Sequence, residues 1–115
     1  MQASPSPTPE EHDRIIAYTS QLAHIASSAY IKSPEAQRRR GCSAGSFRDM
    51  TRVARLDEDM WTELFLDAAD YLPEELETLI GPLNDYLAAL KNRDACTLRA
   101  LLKDGREKKA SAGGN

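Results

Sequence analysis

The residues of this chain whose types and spacing could do chemistry fall in two short stretches. In the first, Asp13, Ala17, Ser20, His24 and Ser27 recur at spacings of 4, 3, 4 and 3. On a helix they would line one edge with small or hydrogen-bonding groups. Two uses of such an edge stay open. It can be a seam for close helix–helix approach in which Ser and His satisfy one another, or a ligand wall with His24 as donor and Ser20 one turn away. In the second stretch Arg48, Arg52 and Arg55 stand at i, i+4 and i+7, which on a short helix would stack three like charges along one face at a small cost. Such a stripe asks for an anion. Solvent with the nearby Asp49, Asp57, Glu58 and Asp59 is one answer, and a carboxylate ligand gripped by a planar guanidinium is the other.

Other chemistries are poorly served. His12 and His24 lie about 18 Å apart along a helix, too far to share a metal. The His12-Asp13 pair lacks the further ligands that a metal-dependent phosphohydrolase needs. Ser20 sits in mid-helix with no nucleophile elbow or oxyanion donors, so a Ser20/His24 hydrolase is not supported. No catalytic residue and no metal site is assigned within this chain. Arg38-Arg39-Arg40 reads as a solvated helix end, and the lone Trp61 as packing in a core or interface.

The elements that must position these groups are all helical. Thr8-Pro9-Glu10-Glu11 is a helix start: Thr8 caps, Pro9 suits the first helical position, and Glu11 can reach back as a capping-box acid. A long helix to about Ile31 follows, with Ile15, Ile16, Thr19, Leu22, Ala23, Ala26, Ala29 and Tyr30 as its expected core face. Ser33-Pro34 opens a short helix ending at Arg40-Gly41, and residues 42–46 form a small-residue turn. Phe47, Met50, Thr51 and Ala54 predict a helix over 46–55. Asp57 caps a helix carrying Met60, Trp61, Leu64, Phe65 and Ala68. From about Asp70 a long helix carries Leu72, Leu76, Leu79, Ile80, Leu83, Leu87 and Leu90, bent but not stopped at Gly81-Pro82. Asp94 caps a last helix with Leu98, Leu101 and Leu102, fraying after Gly105. No strand or hairpin pattern and no repeat appears, so the fold class is all-α, five to six helices, with long kinked helices forming a dimerising bundle.

The chain has 115 residues, 41% hydrophobic and 29% charged, with a formal net charge of -3. That length suits one domain with a modest core, and the charge excludes a general nucleic-acid binder. No stretch approaches the ~18 apolar residues of a membrane span. Residues 1–8 are expected to be a flexible leader and 109–115 a flexible tail, flanking one helical domain over 9–108. Cys42 and Cys96 form no CxxC, which favours a reducing cytoplasm.

HDRIIAYTSQLAH (12–24) and GSFRDMTRVARLDEDMW (45–61) resemble the C-terminal helical domain of prephenate dehydrogenase, the tyrosine-pathway enzyme, in its Firmicutes form. The likeness runs over about 9–108. It rests on the order His-Asp, Ser and His at +8 and +12, a Gly-x-aromatic-basic-Asp-x-Thr-Arg block, then Met-Trp. In that family a Rossmann domain binds NAD or NADP and supplies the histidine that acts on the substrate hydroxyl, while the helical domain contacts substrate and forms the homodimer. None of the glycines here forms a GxGxxG turn, so the resemblance implies half an active site, with no cofactor bound by this chain. It also implies that Arg52 binds a carboxylate of prephenate and His24 its pyruvyl side chain, supported by Ser20 and Asp49. Asp13 and Arg48 would join an ionic network across the dimer at the site entrance, with Trp61 near the partner's pocket. Many relatives have Ser-His-Leu-Pro-His where this chain has Ser20-Gln21-Leu22-Ala23-His24. A free-standing helical interaction module is the alternative.

Overall fold

The structure is a computed structural model and describes residues 8–38 and 45–113. Most of the leader, the Arg39-Arg40-Gly41 helix end and most of the turn after it lie outside the described residues. The described residues contain no strand. They form α1 (Pro9–Ile16), a π-helical turn (Ala17–Gln21), α2 (Leu22–Tyr30), α3 (Pro34–Arg38), α4 (Gly45–Thr51), α5 (Glu58–Asp67), α6 (Leu72–Lys91) and α7 (Ala95–Ala112). α1, the π-turn and α2 follow one another without a break and make up the long first helix that the sequence predicts. The chain divides into two compact units, one up to Leu76 and one from Glu77.

Local chemistry sets the helix starts. Thr8 accepts from the Glu11 backbone N–H at 3.1 Å, and the Glu11 carboxylate accepts from the Thr8 N–H at 3.4 Å, closing the capping box. Asp57 caps α5 by accepting from the Met60 N–H at 2.8 Å. At the π-turn the Leu22 N–H reaches back to the Ala17 carbonyl, one residue beyond the α-helical partner, and the Thr19 hydroxyl donates to the Ile15 carbonyl at 2.8 Å.

Two expectations for the first unit are corrected. Most of the predicted core face of the first helix is exposed, Ile15 and Ile16 included. Of that face Leu22 alone is buried, and the small-residue edge turns inward instead: Ala17 and Ser27 are buried, Ser20 and His24 half-buried. Small side chains allow other helices to approach, and the larger apolar residues are left for a surface that this chain does not itself cover. Second, α4 ends at Thr51, not near residue 55. The Thr51 hydroxyl donates to the Phe47 carbonyl at 2.8 Å, and the Ala54 N–H closes a turn on the Thr51 carbonyl at 3.0 Å. Thr51 and Val53 are β-branched and poor helix formers, and the turn closed by Ala54 takes the place of a further α-helical turn. Arg52 therefore lies in the turn and Arg55 beyond it, and the three arginines do not share a helix face.

In the second unit α6 passes through Gly81-Pro82 without stopping. It ends where the Asp94 N–H bonds the Ala89 carbonyl at 2.9 Å and the Arg93 N–H bonds the Leu90 carbonyl at 3.2 Å. This Schellman pattern places Arg93 at φ 50°, a left-handed position that glycine usually fills. Asp94 then caps α7, accepting from the Thr97 N–H at 3.0 Å and the Thr97 hydroxyl at 2.6 Å. Those Thr97 bonds, the hydroxyl's first, hold the Asp94 carboxyl below its ordinary pKa. α7 does not fray after Gly105 but continues to Ala112. Lys108–Asp104 at 2.9 Å and Lys103–Glu107 at 3.9 Å bridge the glycine and offset its poor helix propensity.

Candidate functional site

The half-buried edge of α2 meets α5 through side chains of high information content. The His24 imidazole stacks on the Trp61 indole, ring centres 4.3 Å apart and 22° from parallel, and Trp61 in turn tilts against Phe65 at 5.5 Å. His24 Nδ1 lies 2.7 Å from the Ser20 backbone carbonyl. A carbonyl oxygen only accepts, so Nδ1 carries the proton and Nε2 is the nitrogen left for a ligand. Neutral, Nε2 accepts a hydrogen bond; it donates only when the ring is imidazolium.

A second link joins the same helices. Gln21 Nε2 donates to the Leu64 carbonyl at 3.4 Å. Gln21 with Leu64 and His24 with Trp61 are successive rungs of one antiparallel seam, since three residues forward on one helix match three residues back on the other. Below this seam a cleft of about 320 Å³ is lined by His12, Asp13, Ile16, Gln21, Asp67 and Tyr71 among others. Beside it Arg14 clamps α1 to the start of α6, with Glu74 and Glu75 each 3.3 Å from its guanidinium and the Tyr71 ring 5.0 Å away. The hydrogen bond and charge of Glu74, with those of Glu75, raise the Arg14 pKa further above its ordinary value, so the clamp stays charged.

The site residues named from sequence fall into two sets. His24, Trp61 and Ser20 are brought together, Ser20 through its main-chain carbonyl and not its hydroxyl. Asp13, Arg48, Asp49 and Arg52 are exposed, and among the described residues none of them forms an ion pair. Gln21 and Arg14 were not selected from sequence. The only signal for the His24–Trp61 pair was the i, i+4 placement of Trp61 and Phe65 on one α5 face.

Residues 8–104 match the family described as prephenate dehydrogenase, dimerization domain. The chain belongs to that family. Among curated relatives, the prephenate dehydrogenase of Lactococcus lactis is 25% identical over 103 residues, covering 85% of this chain and 29% of that protein. The cyclohexadienyl dehydrogenase of Zymomonas mobilis is 32% identical over 105 residues, covering 85% and 36%. The prephenate dehydrogenase of Bacillus subtilis is 24% identical, covering 87% and 28%. The chain therefore spans about a third of the length of the curated relatives it matches. The crystal structure of Synechocystis arogenate dehydrogenase shares the fold, with a TM-score of 0.79 and 21% identity over 93% of this chain and 41% of that one. Gln21 is the last residue of the π-turn, and Ala23 lies two residues beyond it.

Proposed function

We propose that this chain supplies the substrate wall and the dimer interface of a cytoplasmic NAD(P)-dependent prephenate dehydrogenase, paired with a Rossmann domain that carries the cofactor and the base. The observation that carries this reading is the fixed orientation of His24, held through Nδ1 by the Ser20 carbonyl and stacked on Trp61 with Nε2 free, in a chain of this family. The reaction is the oxidative decarboxylation of prephenate to 4-hydroxyphenylpyruvate. The ring hydroxyl loses its proton, the carbon bearing it gives up a hydride, and the ring carboxylate leaves as carbon dioxide, its bonding pair making the ring aromatic and the oxygen a phenolate that takes a proton back. When bound on the Rossmann domain, the nicotinamide supplies the hydride acceptor.

The residues of this chain bind and orient. Arg52, exposed and without an ion-pair partner among the described residues, offers its planar fork to one carboxylate. His24 presents Nε2, the ring nitrogen that the Ser20 carbonyl leaves unbonded, to the pyruvyl side chain. Ser20 holds the imidazole and Asp49 borders the carboxylate site, while Asp13 and Arg48 belong to the entrance network.

Dimerisation has its own support. Ile80, Leu83, Leu87 and Leu90 follow a 3-4-3 spacing along α6 and are all exposed, as are Ile15, Ile16 and Tyr18 of the first helix. Among the described residues the buried apolar ones are Ala17, Leu22, Leu72 and Ala89, a small core. A second copy covers such a heptad-like stripe most simply.

The test is to join the chain behind a prephenate dehydrogenase Rossmann domain and follow nicotinamide reduction with prephenate. Turnover that falls on substitution of Arg52 or His24 supports the proposal. A folded fusion that binds nicotinamide but neither binds nor turns over prephenate would leave the interaction-module alternative.

A further inference from the structure

We infer that Gln21 is a positioning residue for this site: its amide ties the π-turn to α5 and so sets the stack of His24 on Trp61. The inference deepens the proposed role of His24 and rests on it. Gln21 is the last residue of the π-turn, the segment where the first helix departs from α geometry, and such turns commonly accompany sites where a side chain must be re-aimed. Its Nε2 donates to the Leu64 carbonyl across a sequence separation of 43 residues. A reversed amide would set two carbonyl oxygens against each other, so this orientation is the one the surroundings allow.

The rest of the amide is costly. Gln21 Oε1 is buried with no hydrogen-bond partner, a penalty that an apolar side chain of similar length would avoid. A methionine here should therefore pack at least as well, and the amide's distinctive contribution is the register of α2 against α5. That register is what His24 reads. One turn further along the seam, its ring overlaps Trp61 only if the two helices hold their present offset, and Nε2 then points where the stacked ring directs it.

The experiment uses the 115-residue chain, in which Trp61 is the single tryptophan. In the unsubstituted protein, proton NMR should show the indole shifting the His24 ring protons upfield, with Overhauser contacts between the two rings. Gln21→Met should keep the helical circular dichroism and the urea midpoint, yet lose roughly half or more of that upfield shift, because face-to-face ring contacts fall off steeply with offset. A Gln21→Lys variant, which restores an N–H donor one bond further out, should recover part of it. A folded Gln21→Met protein with unchanged ring shifts overturns the inference. Should Gln21→Met not fold, the unsubstituted chain decides. The Gln21 side-chain amide protons must show contacts to α5 and slowed exchange with water, and if they exchange as freely as those of exposed Gln37 the inference falls. These signals need no substrate, so a failure here is distinct from absence of prephenate turnover.

Discussion

The imidazole of His24 lies flat on the indole of Trp61, 4.3 Å between ring centres, while its Nδ1 is held 2.7 Å from the Ser20 carbonyl. One face and one nitrogen of the ring are thus committed to the fold, and Nε2 alone remains for chemistry. Replacing Trp61 by Leu should lower stability by about 1–2 kcal/mol through lost aromatic contact and area, with Trp61→Phe recovering about half. Urea denaturation measures both, and the Nδ1–H tautomer read by nitrogen NMR should become mixed in Trp61→Leu. An unchanged tautomer in that variant would show that the Ser20 carbonyl suffices.

Arg52 is the proposed carboxylate clamp. In the Rossmann fusion, Arg52→Ala should remove charge-assisted hydrogen bonds of about 1.5–3 kcal/mol and raise the substrate constant roughly 10- to 150-fold. Exposed in a turn, it should leave folding untouched. Arg52→Lys keeps the charge without the fork and should recover only part, whereas Arg38→Ala should do almost nothing. Steady-state kinetics decide, and a Michaelis constant within about twofold of the parent would reject the clamp.

The exposed 3-4-3 stripe of α6 predicts assembly. Sedimentation at micromolar concentration should give twice the 12.7 kDa chain mass. Leu87→Lys, which places a charge in the middle of that stripe, should shift the species toward the single-chain mass and lower the melting temperature together with it.

Arg93 occupies a left-handed backbone position where a side chain costs about 1 kcal/mol. Arg93→Gly should therefore stabilise the α6–α7 connection by about 0.5 kcal/mol, after the entropy that glycine adds to the unfolded chain. Chemical denaturation that instead shows a loss above about 1 kcal/mol would mean that the Arg93 side chain makes a contact that matters.

Asp94 gives the connection a pH dependence of known sign. Its carboxyl is held below the ordinary value by the Thr97 hydroxyl and N–H, so its contribution is present above the unfolded pKa and is lost as pH falls through the lowered folded value. Helicity lost below about pH 4 should be smaller in Asp94→Asn, which caps without titrating. Circular dichroism across that range checks it, and equal acid losses in both proteins would place the sensitivity elsewhere.

The caps at Thr8, Asp57 and Asp94 were legible in the sequence because each joins groups three residues apart, where the chain has no choice of partner. The all-α class and the family signature are legible for a related reason, since periodicity and motif order are properties of the string itself. Arg52 leaves its helix because the chain closes a tight turn from the Ala54 N–H to the Thr51 carbonyl there, which the apolar spacing of residues 47–54 does not report. The inward edge of the first helix, the meeting of His24 with Trp61 and the tie from Gln21 to Leu64 depend on segments 43 residues apart at that tie. An amphipathic pattern reports how much surface a helix must bury, but whether its small-residue edge or its apolar face goes inward depends on which neighbour arrives, and that is settled only when the helices pack.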